Sequence, residues 1–323
     1  MKLDELRKLA NMDRGILEQE SPEESYLRMR KLLEEWGLDL ANIYQELEMS
    51  SPYVNTHRDT SLTSPKVSLH SHTYGEVIYC RQTEGVEYLV GADRYRLRQG
   101  DIIFIQPGIS HCPLLPENMQ MPYIRDVIWL SPAFIAMFQD LFTVGSGEEA
   151  LDLTPVRTAG TKWEFLGELF AKGVREEELA EPGWEAAVMG NTMMIIGYLQ
   201  RVYAERSEGK IKAEKPVLLD RITGFVEQHF AEHIALADLA KNFYVSTSTI
   251  SHLFKQKMGI SFYRYVTQRR LIAAKTLIER GRGLENVALE VGFSDYSSFY
   301  RAFKQEFGIS PRQYRLRWED AWR

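Results

Sequence analysis

The sequence predicts a multidomain α+β protein, in which an antiparallel β-barrel with flanking helices is followed by an all-α domain with two helix-turn-helix motifs. Three observations support this prediction. Short β-rich runs separated by turn residues fill residues 61–130, and helical periodicity dominates on both sides of them. From residue 217 onward every segment is helical in pattern. Within that last third, one eight-residue sequence occurs twice, which indicates a structural unit used twice.

The bulk composition is that of a globular protein in a reducing environment. At 323 residues, of which 44% are hydrophobic and 26% charged, the chain can form two or three domains with ordinary cores. It has no run of about 18 apolar residues, and its charged N-terminus lacks an apolar segment, so we expect no membrane span and no secretory signal. Cys80 and Cys112 form neither a CxxC motif nor a disulfide framework. These features predict a cytoplasmic protein that does not contact a membrane.

Residues 1–60 are predicted to form an N-terminal helical extension and a loop. Leu3, Leu6 and Leu9 recur at helical spacing. Residues 50–65 are rich in Ser, Thr and Pro, which predicts a loop before the first strand. The sequence assigns no task to this extension.

Residues 61–130 are predicted to form the barrel. Glycine-containing turn segments separate consecutive runs, as expected for short antiparallel strands in a sandwich or barrel. The runs rich in β-branched and aromatic residues are Val77–Cys80, Val86–Val90, Tyr95–Arg98, Ile102–Ile105 and Ile124–Leu130.

Residues 131–206 are predicted to form a helical dimerisation region. Ser131 followed by Pro132 is a typical helix start. The segment Met189–Tyr203 is apolar on much of its circumference, so it needs a partner, which is either the barrel or a second subunit. Residues 207–216 are polar and end in proline, which predicts an interdomain linker.

Residues 217–323 contain the repeated unit. Phe254–Ser261 reads FKQKMGIS and Phe303–Ser310 reads FKQEFGIS, so six of eight positions are identical. In each copy the pattern predicts a short helix, a turn and a second helix that ends at a glycine. This is the order of elements in a helix-turn-helix motif. The segment between the copies has no Gly or Pro from residue 261 to 279, which predicts a helix of about 28 Å. Successive major-groove faces of B-DNA are about 34 Å apart, so this helix could hold two recognition helices for adjacent grooves.

The charge is divided unequally along the chain. Residues 216–323 hold 16 Lys and Arg against 11 Asp and Glu, whereas residues 1–215 hold 23 against 34. A basic C-terminal third on an acidic body suggests that this third meets a polyanion. Charge alone is equally compatible with solvated helix faces.

The block Val287–Arg315 resembles the C-terminal signature of the AraC/XylS family of transcription regulators. That signature combines an alanine and a Gly-Phe pair, an aromatic residue ahead of Phe-Lys, and a final G-x-S-P-x-x-Y-R, all present here without a gap. The resemblance covers roughly the last 100 residues. It implies a homodimer that binds double-stranded DNA, responds to a small-molecule effector, contacts RNA polymerase and activates transcription. Carbohydrate metabolism is the commonest role in the family, so a sugar or related metabolite is the expected effector.

The resemblance also implies which side chains meet DNA. Outward residues early on each second helix are expected to read bases, and Arg301 is the one suited to a bidentate contact with guanine. Lys255 and Lys304 suit phosphates, as do Arg269, Arg312 and Arg315. The expected base-reading residues are Ser248, Ser251 and His252 in the first copy, and Tyr296, Ser297, Tyr300 and Arg301 in the second.

The strand region carries a second set of candidate residues. His70 and His72 are followed by Glu76, and on a strand residues of equal parity share a face. A further histidine, His111, follows a Gly-Asp and a Pro-Gly pair. The two segments resemble the two motifs of the cupin superfamily, to which the sensor domains of AraC-type regulators are similar. The resemblance implies a cupin-like barrel in which these four residues bind an effector or a divalent metal.

Three interpretations of these four residues remain open. They could bind a small molecule through hydrogen bonds without metal, hold it with the help of a metal, or form the centre of a metal-dependent cupin enzyme with an accessory DNA-binding module. We favour a sensor rather than an enzyme, with no required cofactor and a divalent metal left open. His57 is expected to be a loop residue outside the site, and Cys80 an inert buried thiol.

Overall fold

The computed structural model describes Lys31 and residues 49–61, 69–116, 119–138, 155–205 and 211–321. The predicted N-terminal helical extension lies outside these ranges up to residue 48, and so do residues 207–210 of the predicted linker. Within the described ranges, no helix combines the length and apolarity needed to cross a bilayer.

Among the described residues of the N-terminal half, eight strands form two antiparallel sheets. The large sheet has, in spatial order, β1 (Val54–Ser61), β7 (Tyr123–Leu130), β2 (Gly75–Gln82), β5 (Asp101–Ile105) and β8 (Val156–Arg157). The small sheet has the order β4 (Asp93–Arg96), β3 (Glu87–Val90) and β6 (His111–Leu114). The prediction of short antiparallel strands separated by glycine turns is confirmed for β2 to β5 and β7.

The predicted loop over residues 50–65 is wrong for residues 54–61, because β1 pairs with β7 along its whole length. Residues 62–65 lie outside the described ranges. Its polar residues find partners that local sequence does not show. Thr56 donates from Oγ1 to Glu177, 3.1 Å away on a packed helix, and Asp59 lies 2.9 Å from Arg125 of β7. The strand-rich region therefore begins at Val54, seven residues before the predicted boundary, and β8 extends it into the segment predicted to be helical.

The large sheet has two differently covered faces. Its outer face packs against three helices, α1 (Pro132–Met137), α2 (Leu166–Leu179) and α3 (Trp184–Ala204), in a core that contains Phe134, Phe170 and Ile195. Its inner face forms a second core with Tyr88 of the small sheet and with Val86, which directly precedes β3. The side chains that face the small sheet include most of the polar residues discussed below.

The C-terminal domain is all-helical, as predicted. Its elements are α4 (Leu218–His229), α5 (Leu236–Asn242), α6 (Thr247–Met258), α7 (Phe262–Glu279), α8 (Leu284–Glu290), α9 (Tyr296–Phe307) and α10 (Pro311–Ala321). The 18-residue helix α7 is about 27 Å long and contributes to two apolar cores, with Phe262 and Tyr265 in the first and Leu271 and Ala274 in the second. It therefore connects the two helix-turn-helix units.

The two units differ in their turns. Four residues separate α5 from α6, whereas five separate α8 from α9. The left-handed backbone position is occupied by Tyr244, with φ 56°, in the first turn and by Gly292, with φ 89°, in the second. The predicted helix ends at Gly259 and Gly308 are confirmed, since both residues are left-handed C-caps.

Candidate functional site

The second helix of each unit is capped at its N-terminus and anchored by apolar side chains. Ser246 accepts a hydrogen bond from the backbone N–H of Thr249 at 3.0 Å, and Asp295 accepts one from that of Ser298 at 2.7 Å. The inward residues of α6 and α9, such as Phe254 and Phe303, are fully buried. The opposite faces of both helices consequently point to solvent.

Of the nine predicted DNA-contacting residues on α6 and α9, seven lie exposed on these faces. They are Ser248, Ser251, His252 and Lys255 on α6, and Ser297, Arg301 and Lys304 on α9. Tyr296 and Tyr300 are half-buried, and the Tyr296 ring centroid lies 5.9 Å from that of Phe299. These two tyrosines therefore pack on the helix as well as bordering its outer face.

Two of the cations that we expected to contact phosphate are bonded within the protein. Arg269 donates from Nε to Glu227 at 2.6 Å and its side chain is largely buried. Arg315 donates to the carbonyl oxygen of Arg282. Arg312 is exposed. The expectation for Arg269 was wrong because sequence could not show that Glu227, 42 residues away, lies beside it.

Three predicted ligands converge between the two sheets. His72 Nε2 lies 3.4 Å and His111 Nε2 lies 3.1 Å from Oε2 of Glu76. The three atoms are within 4.8 Å of one another, and all three residues are buried. Glu76 comes from β2 and His111 from β6, so the cluster joins the large sheet to the small one.

Each of these side chains is oriented by a further hydrogen bond. The Nδ1 atoms of His72 and His111 lie 2.7 Å from the carbonyl oxygen of Tyr74 and 2.8 Å from that of Ile109, respectively. Because a carbonyl only accepts, both Nδ1 atoms carry the proton, and the Nε2 lone pairs are directed at the carboxylate. The indole of Trp129 donates to the other oxygen of Glu76 at 3.0 Å.

This arrangement fits a divalent cation. The two Nε2 atoms and Oε2 of Glu76 have no other hydrogen-bond partner among the described residues. Burial lowers the pKa of His72, which favours its neutral, metal-binding form. Burial alone would raise the pKa of Glu76, but the close contacts with His111 and His72 outweigh it and hold that pKa well below its ordinary value. Two imidazoles and a carboxylate, with carbonyl and indole hydrogen-bond partners behind them, form a typical transition-metal donor set.

His70 lies outside this three-residue group, although we expected it to be a fourth ligand. Its backbone forms an isolated bridge with His111, through N–H···O bonds of 3.1 and 2.9 Å. The two ring centroids are 4.3 Å apart. Residues 71–73 do not continue a strand, so the argument that His70 and His72 share a strand face does not hold.

The inner face of the large sheet carries polar residues that the sequence did not indicate. Arg125 bonds Asp59 at 2.9 Å, and His57, which is buried on β1 and not in a loop, lies 3.6 Å from the same carboxylate. Burial would raise the pKa of Asp59, but Arg125 and His57 outweigh it and bring that pKa to about 2. Nδ1 of His57 and the hydroxyl of Tyr123 are buried without a hydrogen-bond partner among the described residues. Residues 55–61 are all polar, so no alternation of apolar and polar residues marks β1, and the sequence pattern could not have revealed this group.

The two cysteines lie apart from this chemistry. Cys80 and Cys112 are buried and unpaired with each other, and burial raises the pKa of each thiol to about 12. A thiol with so high a pKa is a poor nucleophile and metal ligand at neutral pH. This supports the expectation that Cys80 is inert.

Comparison with known proteins identifies the family. A helix-turn-helix domain family matches residues 239–317. LumQ of Photobacterium leiognathi, described as a probable transcriptional regulator, is 34% identical over 57% of this chain and 68% of its own. The HTH-type transcriptional activator RhaS of Salmonella dublin is 25% identical over 76% of this chain and 86% of its own. A crystal structure of an AraC-type transcriptional regulator from Chromobacterium violaceum is 27% identical and covers 29% of this chain and 85% of its own, with a TM-score of 0.28. The chain belongs to the AraC/XylS family of transcriptional regulators.

Proposed function

We propose that the chain is an effector-controlled activator, in which the two sheets form a cupin-like barrel that senses a small molecule. One observation supports the sensor most directly. Three lone-pair atoms, from His72, Glu76 and His111, face one another in a buried position and have no other hydrogen-bond partner in the part of the chain that the structure describes. A buried group of polar atoms without partners is costly unless a ligand satisfies it. Activation is supported by the Salmonella relative, which is named as an activator.

A divalent cation at this cluster assists effector binding in the proposed mechanism. His72, Glu76 and His111 would hold it, and the bound cation would attract a hydroxyl or carboxylate oxygen of the effector. Tyr74 and Ile109 keep the two imidazoles in the required tautomer through their carbonyls. In this mechanism, the protein side chains around the cation bind and orient the effector.

The rest of the inner face supports an uncharged, hydroxyl-bearing effector such as a carbohydrate or related metabolite. The charge of Arg125 is balanced by Asp59, so this cation, the one considered on the described part of the face, does not favour an anionic effector. Nδ1 of His57 and the Tyr123 hydroxyl remain as hydrogen-bonding groups, which suit alcohol groups that both donate and accept. The rings of Tyr74 and Trp129, 4.6 Å apart, offer apolar walls.

Two partners complete the proposal. A homodimer is supported by one face of α3, where Ala187, Gly190 and Met194 are exposed and Gly197 is half-exposed on a single stripe. Built Cβ atoms on the two glycines would meet none of the described residues within 4 Å, which supports close approach of a second helix there. Promoter-bound dimers would then contact RNA polymerase.

The sensor is tested by adding candidate ligands to the purified full chain. Metal analysis should find one equivalent of a divalent metal, and sugars should raise the melting temperature only when that metal is present, because a ligand that binds the native state stabilises it. Absence of both effects would refute the sensor. Steady turnover of a sugar substrate would instead establish the metal-dependent enzyme.

The dimer is tested by sedimentation. Gly190→Glu places a charge and a side chain in the exposed stripe of α3 and should convert the dimer to a monomer. Glu185→Gln, at an exposed position near the start of the same helix, is the control. A Gly190→Glu variant that sediments like the parent would rule out this face.

A further inference from the structure

The small sheet and the DNA-binding domain share one apolar core. Leu69, Leu89 and Cys112 from the strand region cluster with Leu219 and Val226 of α4, and none of the five is more than 2% exposed. The strand β6 lies at the centre of this contact, because it supplies Cys112 to the shared core and His111 to the histidine–carboxylate cluster. Strand β6 therefore presents one face to the histidine–carboxylate cluster and the other face to the shared core.

A chain of polar contacts runs through the same interface. The buried hydroxyl of Ser110 donates to Oε1 of Glu227 at 2.7 Å, and the other oxygen of Glu227 accepts from Nε of Arg269 at 2.6 Å. The guanidinium of Arg269 also lies 4.3 Å from the ring centre of Phe230. Glu227 thereby connects the segment before β6 to α7, the helix that carries both helix-turn-helix units.

A second ion pair holds the start of α4. Nε of Arg94 lies 2.9 Å from Oδ1 of Asp220, and Nη1 of Arg94 lies 2.6 Å from Glu87. Asp220 also accepts a hydrogen bond from the backbone N–H of Val217, so the same carboxylate caps the helix. The helix α4 is thus attached to the small sheet near both of its ends.

The position of Ser110 makes it sensitive to the cluster. It directly precedes His111, whose ring is held by the carbonyl of Ile109 and whose backbone pairs with His70. Through these two contacts, a shift of the His111 imidazole towards a bound cation would also displace Ser110. The outward faces of α6 and α9 are exposed and take no part in this contact. The small sheet therefore contacts the DNA-binding domain on another side and leaves these faces accessible to DNA.

We propose that Ser110, Glu227 and Arg269 form the joint through which occupancy of the histidine–carboxylate cluster changes the placement of the DNA-binding domain. The proposal rests on the proposed sensor function for its stimulus. The contacts among Ser110, Glu227 and Arg269 are present without a ligand. Because a ligand can shift an arrangement only by preferring one of two, cation binding must favour one geometry of β6 over another.

Hydrogen exchange of the full chain, measured by mass spectrometry with and without Zn²⁺, tests the joint. Ser110→Ala removes the donor without changing charge, and Glu227→Gln weakens the hold on Arg269 while keeping the shape. Glu232→Gln is the matched control, since Glu232 is an exposed acid just after α4 whose side chain contacts only His229 among the contacts described. Amides of α9, on the far side of the domain, report whether a variant is folded.

Without metal, Ser110→Ala and Glu227→Gln should speed exchange in α4 about tenfold, the effect of losing one hydrogen bond to a charged acceptor. Glu232→Gln should change it less than about twofold, and α9 should be unaffected in all three. An unchanged α4 rate in Ser110→Ala would overturn the joint.

With Zn²⁺, the parent should show slower exchange in α4, whereas Ser110→Ala should bind the same amount of Zn²⁺ without that response. If Ser110→Ala responds as fully as the parent, the proposed route is wrong. If the parent binds no Zn²⁺, the metal-assisted sensor and the route from the cluster both fail, while the exchange rates without metal still decide whether the joint exists.

Discussion

Replacing Gly292 by alanine is expected to destabilise the second helix-turn-helix unit by about 3 kcal/mol, from two separate costs. The residue has φ 89°, a left-handed conformation that costs a residue with a Cβ about 1–2 kcal/mol. A Cβ there would also lie 2.5 Å from the carbonyl oxygen of Ala231, and 2.8 and 2.9 Å from its C and Cα atoms. Real Cβ atoms essentially never approach that closely, and the obstacle is backbone, so the turn after α4 has to move. Such displacement of packed structure typically costs about 1–3 kcal/mol.

Gly308→Ala separates the two costs. Gly308 has φ 70° but nothing within 4 Å of a built Cβ, so only the conformational cost of about 1 kcal/mol applies. The local free energy of opening should be obtained from native-state hydrogen exchange of α8 and α9 amides, because the whole chain has several domains and need not unfold in one step. If the two alanine variants lose the same free energy within about 0.5 kcal/mol, the close approach of Gly292 to Ala231 does not exist in the protein.

Three further predictions concern DNA, metal and acid. Arg301→Ala should relax base preference at one position by about 1–3 kcal/mol. Lys304→Ala should weaken binding to all DNA sequences alike and reduce the salt dependence of affinity in a mobility-shift series. Identical behaviour of the two variants would contradict the assignment of Arg301 to a base and Lys304 to a phosphate. His111→Ala should abolish stoichiometric binding of Zn²⁺ in a calorimetric titration, and His70→Ala should retain it, so equal losses would place His70 in the ligand set. The pKa of Asp59 is depressed to about 2, so its contribution of about 2 kcal/mol is complete above pH 4 and is lost as the pH falls towards 2. An Asp59→Asn variant should therefore show a flatter loss of melting temperature across that range than the parent, and an equally steep loss would refute the coupling of Asp59 to Arg125.

The helix-turn-helix units were predictable because their determinants are local. Apolar residues such as Phe254 and Phe303 recur at helical spacing, and Gly259 and Gly308 mark the helix ends, so short windows of sequence contain the information. The same reasoning recovered β2, β5 and β7, whose β-branched residues are buried on both faces.

Strand β1 could not be predicted in this way. Thr56 and Asp59 are residue types typical of loops. Their partners in the structure, Glu177 and Arg125, are distant in sequence, so local sequence does not show that these polar residues lie in a strand. Long-range pairing here overrides local propensity.

The candidate site was predictable in composition but not in arrangement. Spacing selected His72, Glu76 and His111 correctly as a converging group. It failed for His70, because equal parity implies a shared face only within a strand. Arg269 was assigned to phosphate because a surface cation and an interface cation look alike in sequence.

The two copies of the repeat differ in their contacts at one of the two positions where their sequences differ. Where the first copy has the exposed Lys257, the second has Glu306, which is buried and bonded to Arg264 and to the amide of Gln268, 2.9 Å away, both on α7. One copy could not replace the other, since a lysine at position 306 would face Arg264 in a buried site.

This asymmetry has an evolutionary consequence. The contact of Glu306 fixes the second unit to α7 without involving the outward residues of α9, so substitution of the residues expected to read bases would leave this contact untouched. Target sequence and target spacing can therefore diverge independently within one duplicated scaffold.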